Sequence, residues 1–525
     1  MDQILHIFKK DVRRHWLEIL ISLALLALFT RRELHPWQNS REASSLSSIF
    51  LSFWGNYITP ALVIFWALLI VRLIQDESLV GDRQWWVTRP YEWWKLLLAK
   101  LLFFFVFVCV PLFHVQLFLL HKFGFPVLGN LRHLLSMQLS LFIDIFLLAA
   151  ILASLTKNIG QALLTVAGIL VVGAGLVWLM TMFPHSDDVK TPPVIVDRLQ
   201  DCLIWGALLA VPIIQFARRR RWRSLVGLAG AVAINTLLSV VVPSAKTTET
   251  EYPVVQPQQA PVKIDIRPIP EITHSSNAWG WSDTVPDIYL NIPVSVSGVA
   301  PRTMVRVDLL KLTTDSPQGS RLSLGWKYQS EELWPEDQLT TLSYIVNRKE
   351  YEKVKSVPMN IHLELALSEY QESDARILIV PAQEFRDRTL GICRIGPPRS
   401  ELLECVTTFH EPGFIAAVDP RDFPCPKDEN DEALLVDAIS HAWKSQDSYS
   451  FLDSGFSPIV NYSIWFRSAS LFDDFEKRMT LRRHSALVCP GMEIRLAQPV
   501  LKRQQRIKLE MSNVRLQEIA GSSAR

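Results

Sequence analysis

Long apolar runs are scarce in the second half of this 525-residue chain, and neither sign of charge is in excess. Nearly all long apolar runs end before Pro243, and nearly all regular apolar/polar alternation follows it. Lys and Arg total 54 against 52 Asp and Glu, so no basic excess points to nucleic acid. The 26 Phe and 17 Trp exclude a disordered chain, because these residues bury large apolar areas. The composition predicts a membrane domain followed by a large water-soluble portion.

Three catalytic signatures are absent from the sequence. It contains no Gly-x4-Gly-Lys-Ser/Thr phosphate loop, no His-Glu-x-x-His zinc motif and no Gly-x-Ser-x-Gly nucleophile elbow. His410 and Glu411 are adjacent, but they precede Pro412 and Gly413, which favours a turn over an acid/base pair. We therefore expect no enzyme activity, no metal site and no cofactor in this chain. ATP hydrolysis, if the protein depends on it, would need a partner subunit.

Cysteine is also scarce, with six residues in all. Cys109 and Cys202 lie in or beside apolar segments, whereas the other four lie in the C-terminal portion: Cys393, Cys405, Cys425 and Cys489. An even set is typical of disulfides in an oxidising compartment. Proximity favours a Cys393–Cys405 bridge, which leaves Cys425 to pair with Cys489. Four free thiols are the alternative, and the absence of a two-residue spacing argues against zinc.

Seven apolar segments occupy the first half of the chain. A helix needs about 20 apolar residues to cross the hydrocarbon core of a bilayer, and the first and sixth segments are the shortest. The predicted spans are residues 16–30, 49–74, 101–120, 134–155, 162–183, 202–216 and 225–242. The sequence therefore predicts an α-helical, multi-pass membrane domain of about seven spans over residues 1–243.

Basic residues give the expected orientation. Lys9, Lys10, Arg13 and Arg14 precede the first span, and five arginines between residues 218 and 223 separate the sixth from the seventh. Cytoplasmic loops are enriched in such residues, so we expect the N-terminus in the cytoplasm. Seven spans place everything after Pro243 outside the cytoplasm, whereas six would place it inside. Leu5, Phe8, Val12 and Trp16 recur at helical spacing, which favours an amphipathic helix on the inner leaflet over a plain charged N-terminal region.

Residues 75–100, between the second and third spans, read QDESLVGDRQWWVTRPYEWWKLLLAK. Tryptophan is favoured at the membrane interface, which explains the aromatic residues. It does not explain why charged residues and a proline are grouped among them: Glu77, Asp82, Arg83, Arg89 and Pro90.

This segment resembles the cytoplasmic loop of the permease subunits of type-2 ATP-binding-cassette (ABC) exporters. That family carries an acidic residue, a glycine, a hydrophobic stretch, a proline and a lysine in this order, and here they are Glu77, Gly81, Trp86, Val87, Pro90 and Lys100. The resemblance covers roughly residues 1–242. It departs at Tyr91 and Glu92, where Ser-Arg is frequent, and in the number of spans, which is usually six.

The resemblance implies that residues 75–100 form a coupling helix that docks on a separate ATPase subunit. The residues assigned to that coupling are Glu77, Gly81, Asp82, Arg83, Trp86, Arg89 and Pro90. ATP and Mg²⁺ would be bound by the ATPase, and a second permease subunit, identical or different, would complete the transporter. The implied location is the bacterial inner membrane.

Asp144 lies at the centre of the fourth predicted span. A charged group costs about 2.5–3.5 kcal/mol at that depth, so it should face protein or water. It either lines a translocation path or joins helices through a hydrogen bond to His114 or Gln116 of the third span.

The portion after Pro243 begins with a proline-containing linker, residues 244–261. Alternation of period two then predicts half-buried strands near residues 262–266, 288–292, 305–309, 361–367 and 507–511, typical of an antiparallel sandwich. We predict a β-rich unit at 262–380 and a second at 381–525 that includes one helix at 431–445. No catalytic motif is found here, so the portion is interpreted as a binding or gating module.

Three functions are consistent with these features. The first is the permease subunit of an ATP-driven ABC exporter. The second is an ABC-type protein that transmits mechanical force to a cell-envelope partner without carrying a substrate. The third is a membrane-anchored receptor that has no ATPase.

Overall fold

The computed structural model describes a helical part, a β-rich part and the contacts between them. The residues described are 2–34, 46–76, 92–182, 194–218, 222, 226–227, 229–235, 252–254, 262–266, 287–315, 321–334, 340–379, 384–387, 390–395, 402–408, 414–418, 440–444, 456–465, 491–519 and 521–523.

The helical part follows the apolar segments of the sequence. Two π-helical turns, Phe105–Cys109 and Phe142–Leu147, join α4 to α5 and α6 to α7, so each pair forms one continuous helix. The helices are α1 Asp2–Arg14, α2 Trp16–Glu33, α3 Leu46–Gln75, α4 Trp93–Phe104, α5 Val110–Lys122, α6 Val127–Leu141, α7 Leu148–Leu155, α8 Ile159–Met182 and α9 Val194–Arg218; residues 229–235 are also helical.

Three helices of the described chain are long and apolar enough to cross a membrane: Tyr57–Gln75, Trp93–Lys122 and Val127–Leu155. They correspond to the second, third and fourth predicted spans. The count of seven is not supported. Helix α2 carries four charged residues, and the apolar parts of α8 and α9 are shorter, Ile159–Gly175 and Cys202–Ala217.

The C-terminal part is mostly β-structure, as the period-two alternation predicts. Its strands are β1 Lys263–Ile266, β2 Asp287–Ser297, β3 Thr303–Asp315, β4 Arg321–Leu333, β5 Thr340–Asn347, β6 Pro358–Ile379, β7 Phe385–Asp387, β8 Gly391–Ile395, β9 Leu402–Thr408, β10 Phe414–Val418, β11 Ser440–Lys444, β12 Ile459–Trp465, β13 Glu493–Arg515 and β14 Gly521–Ser523. A short helix, Arg348–Val354, follows β5.

The described strands form three antiparallel sheets. One has the order β11-β10-β13-β6-β3-β4, a second has β1-β2-β14 with β5 also paired to β2, and a third has β12-β9-β8-β7. The first two share a hydrophobic core, to which Val294 and Leu342 contribute from one sheet and Leu310 and Leu363 from the other. Alternate residues of each strand therefore face this shared core.

Two expectations about the C-terminal part are wrong. Residue 381 does not separate two sheets, because β10 and β13 lie in the same sheet as β6 and β3. The sequence predicts a helix at 431–445. The part of this segment that the structure describes, residues 440–444, is strand β11, in which Trp443 pairs with Ile415. Pairing with β10 overrides the helical preference of this short segment, as tertiary context does for marginal sequences.

Candidate functional site: polar contacts at the two ends of the helices

Helix α1 is amphipathic. The ring of Phe8 stacks on that of Phe107 with centroids 5.9 Å apart, and Ile7 is buried. The four basic residues of the helix are exposed, and so are Leu5 and Trp16, which were expected on the apolar face. The buried side of α1 packs along α4, which begins at Trp93 and so includes the last eight residues of the segment 75–100.

Asp11 of α1 forms a buried ion pair with Lys100 of α4. Lys100 Nζ donates a hydrogen bond of 2.8 Å to Asp11 Oδ2, and the side chains are 0% and 1% exposed. Each charge depends on the other, because a buried charge without a partner carries a desolvation penalty of several kcal/mol. The pair fixes the first turns of α4 to α1.

Asp76, the residue after α3, binds the other end of α1. Arg14 Nε lies 2.9 Å from Asp76 Oδ2, and so does Nε2 of the buried His15. Burial alone would raise the pKa of Asp76. The hydrogen bond from His15 and the charges of Arg14 and Lys100 outweigh this effect and hold the pKa below its usual value.

A further ion pair joins α2 to α3, and a hydrogen bond joins the end of α3 to Thr156. Arg72 Nη1 lies 2.8 Å from Glu18 Oε1, and Gln75 Nε2 donates a hydrogen bond of 2.8 Å to Thr156 Oγ1. We call Asp11, Arg14, His15, Asp76 and Lys100 the N-terminal network. It joins α1 to both ends of the segment 77–99. The seven residues assigned to ATPase coupling, from Glu77 to Pro90, lie outside the described residues.

The polar residues within the apolar helices are not joined as predicted. Asp144 lies in the π-helical turn Phe142–Leu147 with its side chain exposed on the surface of the chain. Among the described residues, neither His114 nor Gln116 bonds to it. His114 Nδ1 lies 2.7 Å from the carbonyl oxygen of Val110, one turn earlier in its own helix. Gln116 is fully buried and points to α6. Gln138 Nε2 of that helix donates a hydrogen bond of 2.9 Å to Gln116 Oε1.

Gln116 also binds the C-terminal part of the chain. Its Nε2 donates a hydrogen bond of 2.9 Å to the carbonyl oxygen of Phe456, which precedes β12. The ring of Phe456 is buried against Trp66 of α3, with centroids 5.3 Å apart. The indole Nε1 of Trp66 in turn donates to Ser22 Oγ of α2 over 2.7 Å. One aromatic side chain of the β-rich part is thus inserted between the helices.

Ser457 adds a second polar contact between this segment and the helices, and we call Phe456 and Ser457 the tip. Ser457 Oγ donates a hydrogen bond of 2.7 Å to Glu33 Oε2 at the end of α2. The N-terminal network lies at the opposite end of the same helix, about 27 Å away at 1.5 Å per residue. Polar contacts therefore hold both ends of α2.

The third sheet positions the tip. Val406 of β9 and Ile459 of β12 pack with Leu120, Phe125 and Leu134 of the helices. A disulfide joins Cys393 of β8 to Cys405 of β9, the pairing that proximity favours in the sequence. Cys425 and Cys489 lie outside the described residues. Cys109 and Cys202 are free thiols, buried and exposed respectively.

Residues 252–254, within the predicted linker, lie on the six-stranded sheet. The backbone N–H of Arg506 donates a hydrogen bond of 2.9 Å to the carbonyl oxygen of Pro253. The hydroxyl of Tyr252 donates a bond of 3.0 Å to Asp308 Oδ2, and Ser368 and Arg306 also bond to this carboxylate. The chain is thus anchored to the β-rich part at Tyr252.

Sequence reasoning did not find these contacts. The polar residues Ser22 and Gln116 stand out in apolar surroundings, but nothing local identifies partners that lie 340 residues away for Gln116 and 424 residues away for Glu33. Within the described chain, no group of three or more His, Cys, Asp and Glu side chains is arranged to hold a metal ion. No protein-family model matches the chain, and comparison with curated proteins yields no significant match.

Proposed function

We propose that this chain is the membrane-spanning permease subunit of an ATP-driven ABC exporter, energised by a separate ATPase subunit that docks on the loop 75–100. The N-terminal network is the observation that carries the proposal. An ATPase pressing on this loop would move α3 through Asp76 and α4 through Lys100. Because α1 is bonded to both residues, the loop ends and α1 would move as one body.

The membrane topology proposed has seven spans, with the N-terminus and the loop in the cytoplasm of a bacterium and the β-rich part outside. Two observations support it. The tip contacts the helices at Glu33, at the opposite end of α2 from the N-terminal network. The Cys393–Cys405 disulfide suits an oxidising compartment, which the cytoplasm is not.

A second permease subunit would complete the transporter. Asp144 supports this part of the proposal, because its exposed carboxylate lies within a helix long enough to span the bilayer. Contact with lipid would be costly there, whereas a neighbouring subunit or a water-filled path would accommodate the group.

Purification of the chain in mild detergent, together with any ATPase subunit that binds it, tests the proposal. We expect an ATP-hydrolysing complex whose activity is abolished by replacing Arg89 and Pro90 together with alanine and reduced by Lys100→Met. Lys95→Met is the matched control, because the Lys95–Glu92 pair of 2.7 Å is solvent-exposed at Glu92. Isolation of the chain without any nucleotide-hydrolysing partner would contradict the proposal. So would full ATP hydrolysis by the Arg89/Pro90 variant, because the loop 75–100 would then not couple the two subunits.

Mechanical transmission to an envelope partner is the second candidate, and the tip favours it. The β-rich part is held to the helices by Phe456, Ser457 and the apolar contacts of Val406 and Ile459. Helix motion at the outer end would therefore move the third sheet directly. Transport of a labelled compound by the reconstituted complex separates the candidates. Mechanical transmission is favoured if the complex hydrolyses ATP but moves no compound. ATP should then also change how a protease cleaves the β-rich part.

A further inference from the structure

A groove lies between α2 and α5, on the side of the helices away from the N-terminal network. It is an open depression on the surface of the helices, with a volume of about 430 Å³. It is lined by Leu23, Leu26, Ala27 and Arg31 of α2 and by Pro111 and Val115 of α5. On α2 these residues recur three or four positions apart, so the groove follows one face of that helix.

The walls of the groove are apolar, and α5 belongs to one of the helices long enough to cross a membrane. The hydroxyl of Thr30, also at the groove, donates a 2.8 Å hydrogen bond to the carbonyl oxygen of Leu26 and is thereby satisfied. From Leu23 to Arg31 the groove extends about 12 Å along α2 at 1.5 Å per residue. Such a surface suits a hydrocarbon chain that lies parallel to the helix.

Arg31 supplies the positive charge at the end of the groove. Its side chain is exposed, and within the described part of the chain it forms no ion pair or hydrogen bond. The next residue, Arg32, differs, because it donates a 3.2 Å hydrogen bond to Thr59 Oγ1 and lies beside Glu33. A guanidinium at the end of an apolar surface matches an amphiphile that has an anionic head group.

From these features we infer that the groove binds one anionic phospholipid of the surrounding bilayer. An acyl chain lies against Leu23, Ala27 and Val115, and the phosphate pairs with Arg31. The inference does not depend on an ATPase partner or on transport.

Native mass spectrometry of the full-length chain tests this site. The purified protein is washed with detergent until bulk lipid is removed and then titrated with phosphatidylglycerol or phosphatidylcholine. We expect one tightly retained phosphatidylglycerol per chain and weaker retention of phosphatidylcholine. Arg31→Gln should weaken phosphatidylglycerol binding about fivefold, the effect of one basic residue at a membrane surface. Arg132→Gln, an exposed arginine of α6 outside the groove, should have no effect.

Two tryptophan variants of α2 distinguish the groove from the rest of the lipid-exposed surface. Ala27→Trp fills the groove and should abolish retention, whereas Ala24→Trp, exposed on the same helix but outside the groove, should leave it unchanged. Equal retention by both variants would mean annular lipid only and would overturn the inference. Equal binding of the two lipids, unaffected by Arg31→Gln, would overturn it as well. If Ala27→Trp does not fold, the Arg31→Gln comparison decides.

Discussion

Lys100 and Asp11 form an ion pair from which water is excluded, with 2.8 Å between Nζ and Oδ2. The two residues are 89 apart in sequence, and the pair lies where α4 packs against the N-terminal helix α1. Buried pairs of this kind contribute little net stability compared with apolar residues, but removal of one partner is severe. The contact therefore specifies the position of α1.

Lys100→Met should destabilise the protein by roughly 3–5 kcal/mol, because the buried carboxylate of Asp11 loses the positive charge of Lys100. The double variant Lys100→Met with Asp11→Leu removes both charges and should recover much of the loss. Thermal unfolding in detergent measures both changes. Lys95→Met is the control and should change the unfolding temperature little. An equal loss of stability in Lys100→Met and Lys95→Met would contradict the burial argument.

Acidification should weaken the contact of Asp76 with α1. The pKa of Asp76 in the folded chain lies below its value in the unfolded chain, about 3.9. The ionised carboxylate thus contributes stability above the unfolded-state pKa, and this contribution disappears as the pH falls through the folded-state pKa. The difference in unfolding temperature between the wild type and Asp76→Asn should be largest near neutral pH and shrink in acid. A difference independent of pH would show that the charge of Asp76 is not involved.

Gly391→Ala should disrupt the sheet that carries the tip. Gly391 has a φ of +90°, and a Cβ there would lie 2.1 Å from the carbonyl oxygen of Val406. Backbone strain of about 1–3 kcal/mol adds to this clash, so β8 and β9 could not remain paired as they are. Faster proteolysis of the C-terminal part is the expected readout. Gly206→Ala in α9, where no atom lies within 4 Å of an added Cβ, should be tolerated.

Trp66 and Phe456 should be energetically coupled. Aromatic pairs contribute about 0.5–1.5 kcal/mol beyond their buried area, so the double alanine variant should lose less stability than the two single variants summed. Denaturant unfolding of all four proteins gives the coupling energy. Phe103 and Phe456 provide the comparison, because they belong to separate apolar clusters. The losses of stability caused by their alanine variants should therefore add. Strict additivity for Trp66 and Phe456 would mean that the tip is not inserted in solution.

Some features of the fold could be predicted because their signals are local. Alternation at Ile361, Leu363, Leu365 and Leu367 gave strand β6, since residues two apart face the same side of a sheet. Length and apolarity gave the three long helices. The same criteria support three of the seven predicted spans among the described residues, and α2 does not meet them because it combines an apolar middle with charged ends. Sequence reasoning also misassigned residues 440–444, where pairing with β10 determines the conformation.

The sequence by itself determined that this protein has apolar helices in its first half and antiparallel strands in its second, because both periodicities arise between neighbours along the chain. Only the tertiary structure decided the partners of its polar residues. Gln116 meets Phe456 and Ser457 meets Glu33 across hundreds of residues, and Asp144 is exposed and bonds to neither of the residues expected to be its partners. A buried donor requires an acceptor but does not specify which one, and that choice depends on how the helices and sheets pack.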